Sequence, residues 1–191
     1  MGASRADAIR IADAHPGSPR LYRTIVVCVA FGLGSTRRQD LESLSRFHRY
    51  LQPGGRLLLD TEVPYSDDRR WQYWLKEGRL ELPEEWEPRP PSRRGSDGAD
   101  YWLSARVVAL DRLDQTLRHQ MRAEIWRDGE KVTEEEHWLT TRLYFKNEVV
   151  LMLAHAGFAD VEVRGNYTND EVTEEHDTLV FIATKSPVAG T

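Results

Sequence analysis

The residues that could do chemistry in this 191-residue chain are scattered: His137 in EEEHW, His176 in EEH, and the aromatic and acidic group Glu62, Tyr65, Trp71 and Trp74. A histidine can serve as a general base, but the charged flanks of both point to solvated surface. The same segments are weaker still as metal ligands, since neither has His-x-x-x-His or a second histidine at ligand spacing. Trp71 and Trp74 either enclose a ligand or pack as core under a neighbouring sheet. The sequence contains neither a glycine-lysine phosphate loop nor a Gly-x-Ser-x-Gly elbow, which removes the kinase and hydrolase readings.

The elements that must position these groups are clearest between Tyr22 and Tyr65. Thr24 to Val29 is an apolar, β-branched run of the kind that a parallel strand buried on both faces requires. It ends in the loop Ala30-Phe31-Gly32-Leu33-Gly34. From Thr36 or Arg37 the pattern turns helical, with Leu41, Leu44, Phe47 and Leu51 on one face. Pro53 stops the helix at Gln52, Gly54 and Gly55 turn the chain back, and Arg56 to Asp60 starts a second strand. Strand starts about thirty residues apart fit a right-handed parallel crossover, with any ligand beyond the carboxyl ends of the strands.

Further along, the spacing predicts a short helix around Asp68 to Glu77 and a loop rich in proline, arginine and serine near residues 88–96. Three antiparallel strands come next, at Tyr101–Leu110, Gln115–Arg127 and Lys131–Leu143, with Asp128-Gly129 a strong hairpin signal. Asn147 is placed to cap a helix carrying Val150, Leu151 and Leu153, with Gly157 at its left-handed end. Asp160 to Tyr167 and Thr178 to Lys185 are joined by a link of roughly ten residues, which suits an antiparallel pair. Ser4 can cap a short helix that ends before Pro16-Gly17. The expected organisation is one α/β domain over 1–191, with a helix, loop and antiparallel subdomain inserted at 66–143.

A net charge of −5 gives no general attraction to nucleic acid, and the cluster Arg89, Arg93 and Arg94 lies in a loop. No apolar stretch reaches the roughly 20 residues of a membrane span, and the first residues lack the pattern of a secretory signal, so cytoplasmic is the default location. Cys28, the only cysteine, reads as an inert core residue of the first strand, which leaves no disulfide framework.

In order and spacing, the first strand, the AFGLG turn and the Leu51-Gln52-Pro53-Gly54-Gly55 helix end resemble the class I methyltransferases that use S-adenosylmethionine. YFKNEVVLMLAHAGFADVEVRGNY is similar to that family's last helix, its Ala-Gly-Phe turn and sixth strand, and LVFIATK to its seventh, antiparallel strand. The resemblance implies parallel strands four and five plus an antiparallel six and seven pair of a Rossmann-like sheet, with an inserted hairpin sheet as in small-molecule N- and O-methyltransferases. It places S-adenosylmethionine against Ala30, Phe31 and Gly32, and the methyl acceptor against Glu62, Tyr65, Trp71, Trp74, Arg142 and Tyr144. Displacement at a methyl group needs proximity and alignment above all, so no catalytic base is assigned.

The family's acidic-x-Gly-x-Gly-x-Gly loop is not found in the sequence, and residues 2–15 resemble the segment that comes after the family's second strand. The reading is therefore of an N-terminally truncated methyltransferase with a further deletion between strands three and four and weakened cofactor binding. Its first strand is expected to offer an exposed edge, and with it a route to a homodimer. The competing reading is a non-catalytic domain that holds an apolar ligand between the two sheets or serves as an assembly subunit.

Overall fold

The structure is a computed structural model that describes residues 21–66, 68–88 and 91–187. The expected helix near Ser4 and the cation Arg89 lie outside the described residues. Two four-stranded sheets are built from β1 (Tyr22–Val27), α1 (Arg37–Tyr50), β2 (Leu51–Glu62), α2 (Asp68–Gln72), β3 (Arg93–Arg94), β4 (Asp100–Asp111), β5 (Thr116–Arg127), β6 (Glu130–Arg142), α3 (Lys146–His155), β7 (Asp160–Gly165) and β8 (Thr178–Thr184).

The first sheet has the order β1-β2-β8-β7. Its β1–β2 pair is parallel, while β8 runs antiparallel to both β2 and β7. Strand alternation sends Leu57, Leu59, Leu179, Phe181 and Ala183 to one face, where they pack with Leu44 of α1 and Val149 and Leu153 of α3. Both helices therefore cover the same face of the sheet. On the other face Val26 pairs with Leu58 and is 59% exposed, so β1 is not the doubly buried strand that its composition suggests. Cys28, just past the strand, is exposed rather than core for the same reason.

Local rules account for most element ends. Thr36 caps α1 by accepting from the Gln39 N–H, and the Gln39 side chain accepts in return from the Thr36 N–H at 2.8 Å. The β1–β2 register jumps from Tyr22–Leu51 to Thr24–Arg56, so Gln52 to Gly55 bulge out and continuous pairing starts at Arg56. At α3 the cap differs from expectation. Asn147 lies inside the helix, and the Glu148 carboxylate accepts from the Phe145 N–H at 2.9 Å. The buried face of α3 is Val149, Met152 and Leu153, leaving Leu151 70% exposed.

The second sheet has the order β3-β4-β5-β6, wholly antiparallel. Its strands match the expected three within two residues. The β5–β6 turn has Asp128 and Gly129 both at positive φ, as a two-residue hairpin requires. One face is covered by Trp86, whose ring lies under the guanidinium groups of Arg122 and Arg106 at 4.2 and 4.7 Å.

Candidate functional site

The loop after β1 ties the two sheets together. Arg142 donates its N–H to the Gly32 carbonyl at 2.8 Å, and Gly34 donates to the Thr140 carbonyl at 2.8 Å. The Arg142 guanidinium donates to the Ser35 carbonyl at 2.9 Å. Gly32 has φ +75, and a Cβ there would sit 2.9 Å from the Arg142 carbonyl oxygen. Only glycine meets both demands. The seam closes a cleft of about 220 Å³ at the carboxyl ends of β1 and β2, walled on its other side by β5 and β6.

Of the residues singled out in the sequence, Ala30, Phe31, Glu62, Arg142 and Tyr144 line this cleft. Gly32 sits in the seam beside it. Tyr65, Trp71 and Trp74 do not line it; they form an aromatic run on and around α2, with Trp71 of the helix against Tyr65 and Trp74 at centroid distances of 6.3 and 6.1 Å. Trp74 continues to Phe145 at 6.2 Å. On the hairpin sheet itself the Arg106 and Arg122 guanidinium groups lie over Trp86. His137 is exposed beside Glu135, and His176 bonds within its own turn to Thr173, so neither reaches the cleft.

Each cleft residue is held by identifiable partners. The Tyr144 hydroxyl donates to Asp40 at 2.7 Å, and Asp40, 3% exposed, also accepts from Ser35 at 2.6 Å. Burial first, then the bond to Asp40, pushes the Tyr144 hydroxyl well above the usual tyrosine range. Its ring meets Phe31 at 5.2 Å, while the Arg37 guanidinium lies 5.0 Å from the ring centre. Tyr144 thereby fixes Phe31 from behind. Glu62 accepts from Arg70 at 3.0 Å across the cleft mouth.

Among the cleft residues not foreseen from the sequence, four carry polar groups that matter to the site: Asp60, Thr61, His119 and Tyr167. Asp60 is 4% exposed and accepts from the Val29 N–H at 2.6 Å and from the Tyr167 hydroxyl. The bond to Asp60 raises the Tyr167 hydroxyl to about 12. Both donors sit in the left-handed region, Val29 at φ +47 and Tyr167 at φ +59, which for a β-branched and a bulky residue is strained backbone. The Thr61 hydroxyl is buried without a hydrogen-bond partner among the described residues. The available signal for Asp60 was a carboxylate closing the apolar run RLLLD, which a buried strand end keeps only for a purpose.

No protein-family model matches the chain, and no curated protein matches it. Solved structures do. An S-adenosylmethionine-dependent methyltransferase from Clostridium acetobutylicum is similar over 90% of this chain and 61% of its own, at 13% identity and a TM-score of 0.58. CalS10, an amino pentose methyltransferase from Micromonospora echinaspora, is similar over 89% of this chain and 61% of its own, at 14% identity and a TM-score of 0.55. CcbJ, a methyltransferase from Streptomyces caelestis, matches 95% of this chain and 70% of its own, at 16% identity and a TM-score of 0.56. The chain spans about three fifths of the length of the first two. At these identities the likeness is one of fold: the mixed α/β fold is similar to that of S-adenosylmethionine-dependent small-molecule methyltransferases.

Proposed function

We propose that this chain is a methyltransferase domain that moves a methyl group from S-adenosylmethionine to a nitrogen or oxygen of a small molecule. The observation that carries the reading is the cleft's place, at the carboxyl ends of the parallel pair β1–β2, where an open α/β sheet takes its ligand. In this reading β1, β2, β7 and β8 are the fourth, fifth, sixth and seventh strands of the family's sheet, and the region 66–143 is its inserted subdomain.

The cleft suits the reactive end of the cofactor. Ala30 and Phe31 give it an apolar wall, the buried Thr61 hydroxyl offers an unused polar atom, and the Asp60 carboxylate suits a cationic sulfonium. At about 220 Å³ it is smaller than the roughly 300–1,000 Å³ of most complete ligand sites. It therefore holds the methyl-bearing end and leaves the nucleoside to groups outside it. The acidic-x-Gly-x-Gly-x-Gly loop that would cradle that end is not in the sequence, which supports weakened binding by the residues present.

When bound, the cofactor supplies an electrophilic methyl group. The protein supplies alignment: Tyr144 and Arg37 lock Phe31, and Gly32 locks the turn to β6. Glu62 and Arg142 face the acceptor side of the cleft, with Tyr65, Trp71 and Trp74 as an aromatic rim beyond it. Calorimetric titration with S-adenosylhomocysteine tests the reading. Weak but saturable binding is the expected result; micromolar affinity would show a fully competent cofactor site, while no heat at millimolar ligand would leave the non-catalytic alternative.

A further inference from the structure

His119, on β5, differs from the two histidines that sequence context brings forward. Strand alternation places it opposite Val107 and Leu139, on the face away from Trp86 and towards the cleft, which it lines. It is half-buried, and among the described residues neither ring nitrogen has a hydrogen-bond partner. A half-buried ring that lines a cleft and leaves both nitrogens without a protein partner among the described residues is free to bond a ligand there.

We propose that His119 takes the proton that an amine must lose as it is methylated in this cleft, so that the site accepts amines in preference to alcohols. The proposal rests on the methyl-transfer reading above and adds the acceptor class and the base. The steps balance. An ammonium group gives its proton to the imidazole, and the freed nitrogen lone pair forms the N–CH₃ bond as the S–CH₃ bond breaks. The electron pair of that bond stays on sulfur, which becomes a neutral thioether, and the imidazolium returns its proton to solvent. An aliphatic alcohol is far too weak an acid for a neutral imidazole to deprotonate, whereas an ammonium group lies within its reach.

The surroundings favour the neutral base. Burial first, then the Arg70 guanidinium, holds His119 below its usual 6.5, with Glu84 opposing. The other charged or titratable groups on the cleft are Asp60, Glu62, Arg142, Tyr144 and Tyr167. Asp60, Glu62 and Arg142 are already bonded to Tyr167, Arg70 and Ser35, and Tyr144 to Asp40. Among these groups the imidazole is the one with no protein partner among the described residues and with a nitrogen lone pair open to a ligand's proton.

The test is NMR of the histidine ring carbons in the full chain with S-adenosylhomocysteine present, adding benzylamine or, separately, benzyl alcohol. Benzylamine should move the His119 signal saturably near pH 7 to 8, where the imidazole is neutral and the amine still carries its proton, and the response should weaken as the pH is raised towards about 10 and the ammonium is lost. Benzyl alcohol should leave it in place. In His119→Gln the amine's affinity should fall about tenfold, the loss of one good hydrogen bond. Should that variant fail to fold, His119→Asn assigns the signal, and the wild-type titration decides alone. Equal responses to amine and alcohol, or an amine that shifts Tyr144 ring signals but not His119, overturn the proposal. If S-adenosylhomocysteine gives no calorimetric heat while the amine still moves His119, the methyl-transfer reading fails and the amine site stands. If neither molecule binds, both are overturned.

Discussion

Asp60 holds more of the cleft in place than any residue that the sequence brought forward. Two strained left-handed residues, Val29 and Tyr167, are both donors to this one carboxylate. Removing its charge weakens two charge-assisted bonds at once, and Asp60→Asn should lower unfolding free energy by about 2 kcal/mol in urea titration. Tyr167→Phe removes only the outer bond and should cost about 1 kcal/mol. An equal effect of the two would show that the Val29 contact carries nothing. Gly32 is constrained differently, by φ +75 together with 2.9 Å to the Arg142 carbonyl. Gly32→Ala should cost about 2 kcal/mol and loosen the seam, read as lost amide-exchange protection at Gly34 and Arg142.

At the scale of elements, β1 is the exposed part of the design. It pairs only with β2, its other edge is unpaired among the described residues, and Tyr22 and Val26 are 44% and 59% exposed. Such an edge templates pairing with another chain. We expect the protein to self-associate with rising concentration, and Val26→Lys, a charge on the open face, to shift light scattering towards monomer. A clean monomer at high concentration in the unmodified chain would remove the edge as a dimerisation surface. The turns and caps here were largely legible. The helix start near Thr36 and the turns at Asp128-Gly129 and Gly157 follow from local spacing and steric rules, and the structure obeys them. The cap of α3 was not, because Asn147 and Glu148 both suit a helix start, and only the fold decides which one meets the free N–H. Glu148 does, and it also pairs with Arg37 at 3.1 Å.

For the whole molecule, ionisation narrows the stable range from both sides. His48 and His119 are held below 6.5, chiefly by burial, so the folded state disfavours protonation. Their contribution is complete above the unfolded value and is lost as the pH falls through about 6.5 and below. Tyr73 and Tyr167 are raised to about 12, and Tyr144 is raised too, so their contribution is present below about 10 and is lost as the pH rises beyond it. The melting temperature should peak between these limits, and Tyr144→Phe should flatten the alkaline fall; an unchanged alkaline limb would show that the Asp40 bond is idle. None of the helices over the described residues is long and apolar enough to cross a membrane. By itself the sequence determined the strand and helix order, the turns and the antiparallel last pair, because periodicity, proline and glycine act over a few residues. It also pointed to Ala30, Phe31, Glu62, Arg142 and Tyr144, which the structure brings to one cleft. Only the tertiary structure decided that both helices lie on one face, that Tyr65, Trp71 and Trp74 stand off the cleft, and that Asp60 and His119 line the same cleft from different sheets. A side chain's part in a site depends on which sheets meet, and that pairing of distant strands leaves no local mark in the chain.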